Sequence, residues 1–346
     1  IFFEACAQFL LNKNLFEFKE NLKKNINQTI LKIKIAFVFT VIFITIVSFS
    51  CKKEDANKSD NQETNENDSN YDCSYENDNV SKTFDCNVQL NMTSLFSEIT
   101  SNDKRIFTVN NIPSHLVGEY PNNANPHSIS AQQETIEISI NPQKKTSLTP
   151  LQNSNGPAYA FGICLNGVEM DPVAAEPWGK NTTNENYNWN LEATANNLGL
   201  DCSNAHVQPT GSYHYHGTPV KYIESLNTSG NEMVLMGWAA DGFPVYYSFG
   251  YSTANDSLSA IKTLTSSYRL KSGDRPGDGI SAPCGEYNGK YVQDYEFTEG
   301  LGDLDEANGR TGVTPEFPNG TYYYVVTDEF PGIPRYLAGD PSKDFE

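Results

Sequence analysis

The chain has 346 residues, 43 of them acidic and 24 basic, for a formal net charge of −19. That balance excludes a nucleic-acid partner, which needs clustered Lys and Arg, and fits an exported protein kept soluble by excess acid. With 19 Tyr, 19 Phe, 24 Gly, 18 Pro and no long 3.6-residue periodicity, the composition predicts a mainly β protein.

Residues 1–50 read as a signal peptide and an upstream segment. Residues 1–31 lack an initiating Met and are expected to precede the true start or to be truncated. Lys32 and Lys34 precede an apolar run of 15 residues, Ile35 to Phe49. A membrane span needs ~20 residues, so the run suits a signal-peptide core better than a retained anchor. Ser50-Cys51 resembles a bacterial lipobox, although Phe49 stands where a small residue is usual. Cys51 is then the acylated mature N-terminus, and the partner is a membrane, reached through a lipid anchor. "CKKED" resembles the signal that sends some lipoproteins of Gram-negative bacteria to the cell surface, so outer membrane or cell surface is the expected location.

Residues 51–103 are expected to be the lipidated cysteine and a polar disordered tether. Lys52 to Asn79 is nearly all Asn, Asp, Glu, Ser and Lys, which buries too little apolar surface to offset ordering entropy. Residues 104–346 are then one β-rich domain, sandwich- or barrel-like, with short helices. Besides Cys6 and Cys51, the cysteines are Cys73, Cys86, Cys164, Cys202 and Cys284, all disulfide candidates in an exported protein. Cys73 and Cys86 could staple a small loop, and an odd count leaves a thiol over.

"RIFTVNNIP" and "ETIEISINP" alternate as half-buried strands do. "AYAFGICLNG" is a buried strand entering an Asn166-Gly167 turn. "NWNLEATANNLG" is the best helix candidate, closing on Gly199. "EMVLMGWAADGFPVYY" places two strands around Asp241-Gly242, and "GTYYYVVTDEFP" is another strand. An internal echo relates "LDCSN…GSYHY" from Leu200 to "LDEAN…GTYYY" from Leu304, predicting two similar hairpins, packed side by side.

The first of these is "HVQPTGSYHYHGTP", which holds three of the chain's five histidines. Pro209-Thr210-Gly211 fits a type I turn with Gly211 at a left-handed bulge position. That loop pairs Gln208 with Ser212 and His206 with His214, and His216 shares their face. A two-residue loop would put His206 on the other face. Three imidazoles on one face suit zinc or copper, as a binding site or as a metal-dependent enzyme (hydrolase or oxidase) with an open position for water. Metal binding is then expected to weaken as pH falls through roughly 6.5, where free imidazole protonates. Tyr213 and Tyr215 face the core. Asp241, Asp201, Asp305 and Glu306 are the weaker candidates for a catalytic base. Asp201 and Asp305 occupy equivalent positions of the echo, which favours structure. A third class, a carbohydrate-binding or adhesive surface protein, would stack sugars on Trp178 and Trp189.

The motifs "NNIPSHLVGEYPN", "FGICLNGVEMDP", "NAHVQPTGSYHYHGTP" and "GWAADGFPVYY", with the segment from Tyr291 to Tyr324, resemble the YHYH-domain family over about Arg105 to Ala338. The resemblance implies an exported or surface protein and adds His115 of "IPSH" to the site, while His127 lies outside the family's motifs. Relatives carry histidines where this chain has Tyr323 and Val325, so a second site they imply is lacking here. They also carry a cysteine at the position of Ala307. If that was the partner of Cys202, then Cys202 pairs elsewhere, with Cys164 or Cys284.

The lipobox reading is checked by Cys51→Ala, which should abolish membrane association or leave the precursor unprocessed. Unchanged processing and anchoring would reject it.

Overall fold

The computed structural model describes Cys73 and residues 83–226 and 232–346. The apolar run, Cys51 and the Lys52–Asn79 strip, Cys73 excepted, lie outside them. Among the described residues no helix is long and apolar enough to cross a membrane.

Paired backbone begins ahead of Lys104. Strand β1 (Phe96–Ser101), β2 (Lys104–Val109) and β3 (Glu134–Ser139) form an antiparallel meander. The alternation of "IFTV" and "TIEIS" buries Phe107, Val109, Ile136 and Ile138 on one side. The meander is the smaller layer.

The larger is an eight-stranded curled half-barrel sheet. Its strands are β4 (Gly162–Cys164), β5 (Glu169–Met170), β6 (Ala205–Val207), β7 (Tyr213–Tyr215), β8 (Leu235–Ala239), β9 (Pro244–Tyr247), β10 (Gly309–Gly312) and β11 (Thr321–Val326). The spatial order is β6-β7-β5-β4-β8-β9-β11-β10. Read outward from the centre, the two halves match. Hairpin β4–β5 turns at Asn166-Gly167 and hairpin β8–β9 at Asp241-Gly242, with Gly167 and Gly242 both at positive φ. Then β7 runs parallel to β5, as β11 runs parallel to β9, and β6 and β10 close the two edges. The two similar hairpins therefore lie at opposite edges of one sheet and not side by side. The echo in the sequence is part of a duplication that includes the central hairpins as well.

The side chains repeat with the strands. Tyr213 donates to Asp201 at 2.8 Å, and Tyr322 to Asp305 at 2.9 Å. Asn166 donates to the Tyr215 hydroxyl at 2.9 Å, and the Tyr324 hydroxyl donates to Asp241. Asn204 and Asn308 both sit at positive φ, 54° and 52°. Asp201, Asp305 and Asp241 are thus turn and anchor residues. Asp201 also caps the Gly118 and Ser203 amides, and Asp305 those of Ala307 and Gly309. Glu306 is exposed.

Three expectations are corrected. "NWNLEATANNLG" is a strand over Asn186–Asn190 followed by one 3-10 turn, Ala193–Ala195. Asn side chains there bind backbone groups of other segments, as Asn190 does with the Ala174 carbonyl, and this competes with helix. Among the described residues the α-helix, α1, is Val220–Ser225, right after the histidine hairpin. The disulfides are Cys73–Cys284 and Cys86–Cys202, not Cys73–Cys86, and Cys202 does not pair with Cys164 or Cys284. The Phe84 amide donates to the Leu200 carbonyl at 2.9 Å, bringing Cys86 to Cys202. The link spans 116 residues, which in the chain-entropy view removes about 4–5 kcal/mol of unfolded-state freedom. Cys164, in β4, is the buried free thiol.

The two halves meet at β4 and β8, where Ala239 faces Gly162 and Gly237 faces Cys164. A Cβ on Gly162 would lie 2.2 Å from the Trp238 carbonyl, and one on Gly237 2.4 Å from that of Ile163. Both obstacles are backbone and cannot rotate away. Gly237→Ala and Gly162→Ala should each destabilise the fold by about 1–3 kcal/mol or more, measured by urea unfolding. An unchanged midpoint would show that the seam is looser than these distances.

Candidate metal centre

The hairpin β6–β7 has the register its turn predicts. Gln208 donates to the Ser212 carbonyl at 2.9 Å and Gly211 to that of Gln208 at 2.8 Å. Gly211 has φ of 91°, and a Cβ there would meet Ser130 Oγ at 2.0 Å. His206 lies opposite His214, and His216, two residues on, shares their face.

The tyrosines point the other way. Tyr213 is tied to Asp201, and the Tyr215 oxygen meets both Asn166 Nδ2 and, at 2.6 Å, His115 Nε2. His115 is therefore on the opposite face of β7, with its Nδ1 2.8 Å from the Leu116 carbonyl. It is not brought to the other three histidines.

His206, His214 and His216 form a group able to hold a metal ion, their ligand atoms all within 4.8 Å of one another. Nε2 of His216 lies 2.9 Å from Nε2 of His214 and 2.9 Å from Nε2 of His206. On the far side of the rings, Nδ1 of His206 is 2.9 Å from the Leu198 carbonyl and Nδ1 of His214 is 3.4 Å from that of Ser212. A carbonyl only accepts, so these two rings carry their protons on Nδ1 and present bare Nε2 lone pairs inward. One proton on His216 cannot serve both contacts well. Adding protons is opposed by burial, which pushes His214 down to about 3, His216 well below its usual value and His206 downward. Mutual repulsion among the rings adds to this. A cation between the three nitrogens removes the conflict. Four-coordinate zinc with bonds of ~2.0–2.1 Å sets its nitrogens roughly 3.3 Å apart, close to the spacing here. Nδ1 bonding to carbonyls is also the usual way a ligating imidazole is oriented.

The three rings open onto a cleft of about 530 Å³ lined also by His127, Asp171, Glu176, Lys180 and Gln208. Asp171 and its neighbour Glu169 were not singled out by the sequence. Burial pushes the Asp171 carboxyl up to about 7, and burial with the nearby Asp171 and Glu134 carboxylates pushes Glu169 to about 8. The alternation in "VEMDP" marks a strand with acids on one face, but only the pairing of β5 with β7 shows that this is the histidine face. The other candidates lie elsewhere, as anchors of the tyrosine face. Of the two tryptophans, Trp178 is 7% exposed and offers little ring to a sugar, while Trp189 is half-buried, with its ring at 84° to that of Tyr291.

The second hairpin has no such cluster. Arg310 occupies the place of His206 and its Nε donates to the Tyr323 hydroxyl, opposite it in register. Val325, in the place of His216, packs with Tyr323, Met233, Tyr246, Leu264 and Leu304.

Searches of curated proteins and of solved structures give no match. The family described as YHYH protein matches residues 135–339, more than half of the chain and including both central hairpins, the histidine hairpin and its counterpart. The chain belongs to the YHYH protein family.

Proposed function

We propose that this is an exported, lipid-anchored surface protein whose YHYH domain binds a transition metal, copper or zinc, through His206, His214 and His216. The observation that carries the metal reading is the meeting of three Nε2 atoms, two of them on rings whose outer nitrogens face backbone carbonyls. Lipid anchoring rests on the sequence around Cys51. A second reading, metal-dependent hydrolysis or oxidation, draws on the adjoining cleft, since three protein ligands leave a position for water or substrate.

His206→Ala, His214→Ala and His216→Ala should each weaken copper or zinc binding by roughly 100-fold or more, beyond the 10–100-fold typical of outer-shell partners. His115→Ala should leave affinity nearly intact because its ring is across the strand. Tyr215→Phe should cost about 1–3 kcal/mol of stability by stranding its buried partners, yet keep the metal. Chelator competition and thermal unfolding separate these effects. A protein that stays metal-free after loading, or a triple alanine variant that binds as before, would overturn the assignment.

The pH dependence follows from the direction of the imidazole shifts. Because burial lowers all three, protons compete with metal only at lower pH than for free imidazole near 6.5. At fixed free zinc, half-release should come below the ordinary histidine value of about 6.5. Release centred near 6.5 would mean the rings are solvated in solution.

A further inference from the structure

Strand β7 carries the histidines, and β5 lies beside it with Glu169 paired to His214. The Asp171 amide donates to the Tyr215 carbonyl at 2.9 Å, continuing the ladder. With two-residue alternation, Glu169 and Asp171 stand on the same face as His214 and His216. Asp171 also lines the cleft into which the three imidazoles open.

Its carboxylate is poorly provided for. Oδ1 is enclosed and has no hydrogen-bond partner, and the carboxylate is otherwise met by Gln208 Nε2, 3.5 Å from Oδ2, and by the Val173 amide. A buried carboxylate oxygen without a donor is unfavourable, and such a group in a cleft commonly awaits one. Asp171 is not among the residues grouped close enough to ligate with the histidines. A carboxylate beyond direct reach of a metal is placed to meet what the metal holds. Water on a divalent cation is a strong hydrogen-bond donor, and a three-histidine site keeps a position open for it.

We propose that Asp171 is a positioning residue: it accepts a hydrogen bond from the water, or other protic ligand, held at the open position of the histidine cluster. This rests on the metal reading above. The site is thereby biased toward neutral donors and against simple anions, because a ligand such as azide would bring negative charge against the carboxylate and offer it no proton.

The test is an azide titration of the copper(II)-loaded protein at pH 8.5, followed by the azide-to-copper charge-transfer band. Asp171→Asn keeps the side chain's shape, and Asp171→Ser removes the carboxylate without placing an amide there. Both should retain copper at the wild-type level and bind azide at least about tenfold more tightly, having lost the repulsion and the bond that holds the competing water. Unchanged azide affinity in copper-loaded variants overturns the role of Asp171 and leaves the metal reading intact. Loss of copper from both variants also overturns it, by making Asp171 a ligand. Wild-type protein that takes up neither copper nor zinc refutes the metal reading itself.

Discussion

The buried side chain of Tyr215 is the point from which the site is built. It sits fully buried between Asn166 of the β4–β5 turn and His115 of the segment after β2. Strand alternation allows no compromise: with Tyr213 and Tyr215 committed to the core, residues 214 and 216 must face the other way. Phenol rings of this size bury well only if their hydroxyls find partners, and Asp201, Asn166 and His115 supply them. Packing on one face thus aims the imidazoles on the other. The histidines are convergent because the tyrosines are anchored.

Much of this was legible in the residues. Pro209-Thr210-Gly211 specified a turn, the turn specified the register, and period two assigned the faces. The strands "RIFTV" and "ETIEIS" and both central hairpins could be read for the same local reason. What could not be read was long-range pairing. Nothing near Glu169 or Asp171 says that their strand lies parallel to the histidine strand, since parallel neighbours are joined through distant chain. The same limit hid the crosslinks. Cys73 and Cys86 are close in sequence, but Cys86 is drawn to Cys202 by backbone pairing at Phe84 and Leu200. The helix expected near Ala193 failed because asparagine side chains there bond to other segments, a competition that local propensity does not register.

The duplication gives an internal comparison of one scaffold with two surface chemistries. Both halves keep the aspartate that caps the turn, the left-handed asparagine and the tyrosines of the inner face. They differ on the outer face, where one hairpin has three histidines and the other Arg310, Tyr323 and Val325. The scaffold does not require a polar cluster at that place, because the second hairpin fills it with a guanidinium–phenol bond and aliphatic packing. The first hairpin accepts three mutually repelling nitrogens there, a cost that the fold alone does not explain.

The crosslinks also govern how the molecule would carry load. A pull along the chain from ahead of residue 73 reaches the Cys73–Cys284 bond before any hydrogen bond of β1, and slack beyond it meets Cys86–Cys202 next. Tension is therefore borne by covalent bonds that route it into the loop around residue 284 and the turn at residue 202. Strand β7 is outside that path. A chain tugged from its leading end would strain its bridges first, and the second of them ends four residues from His206.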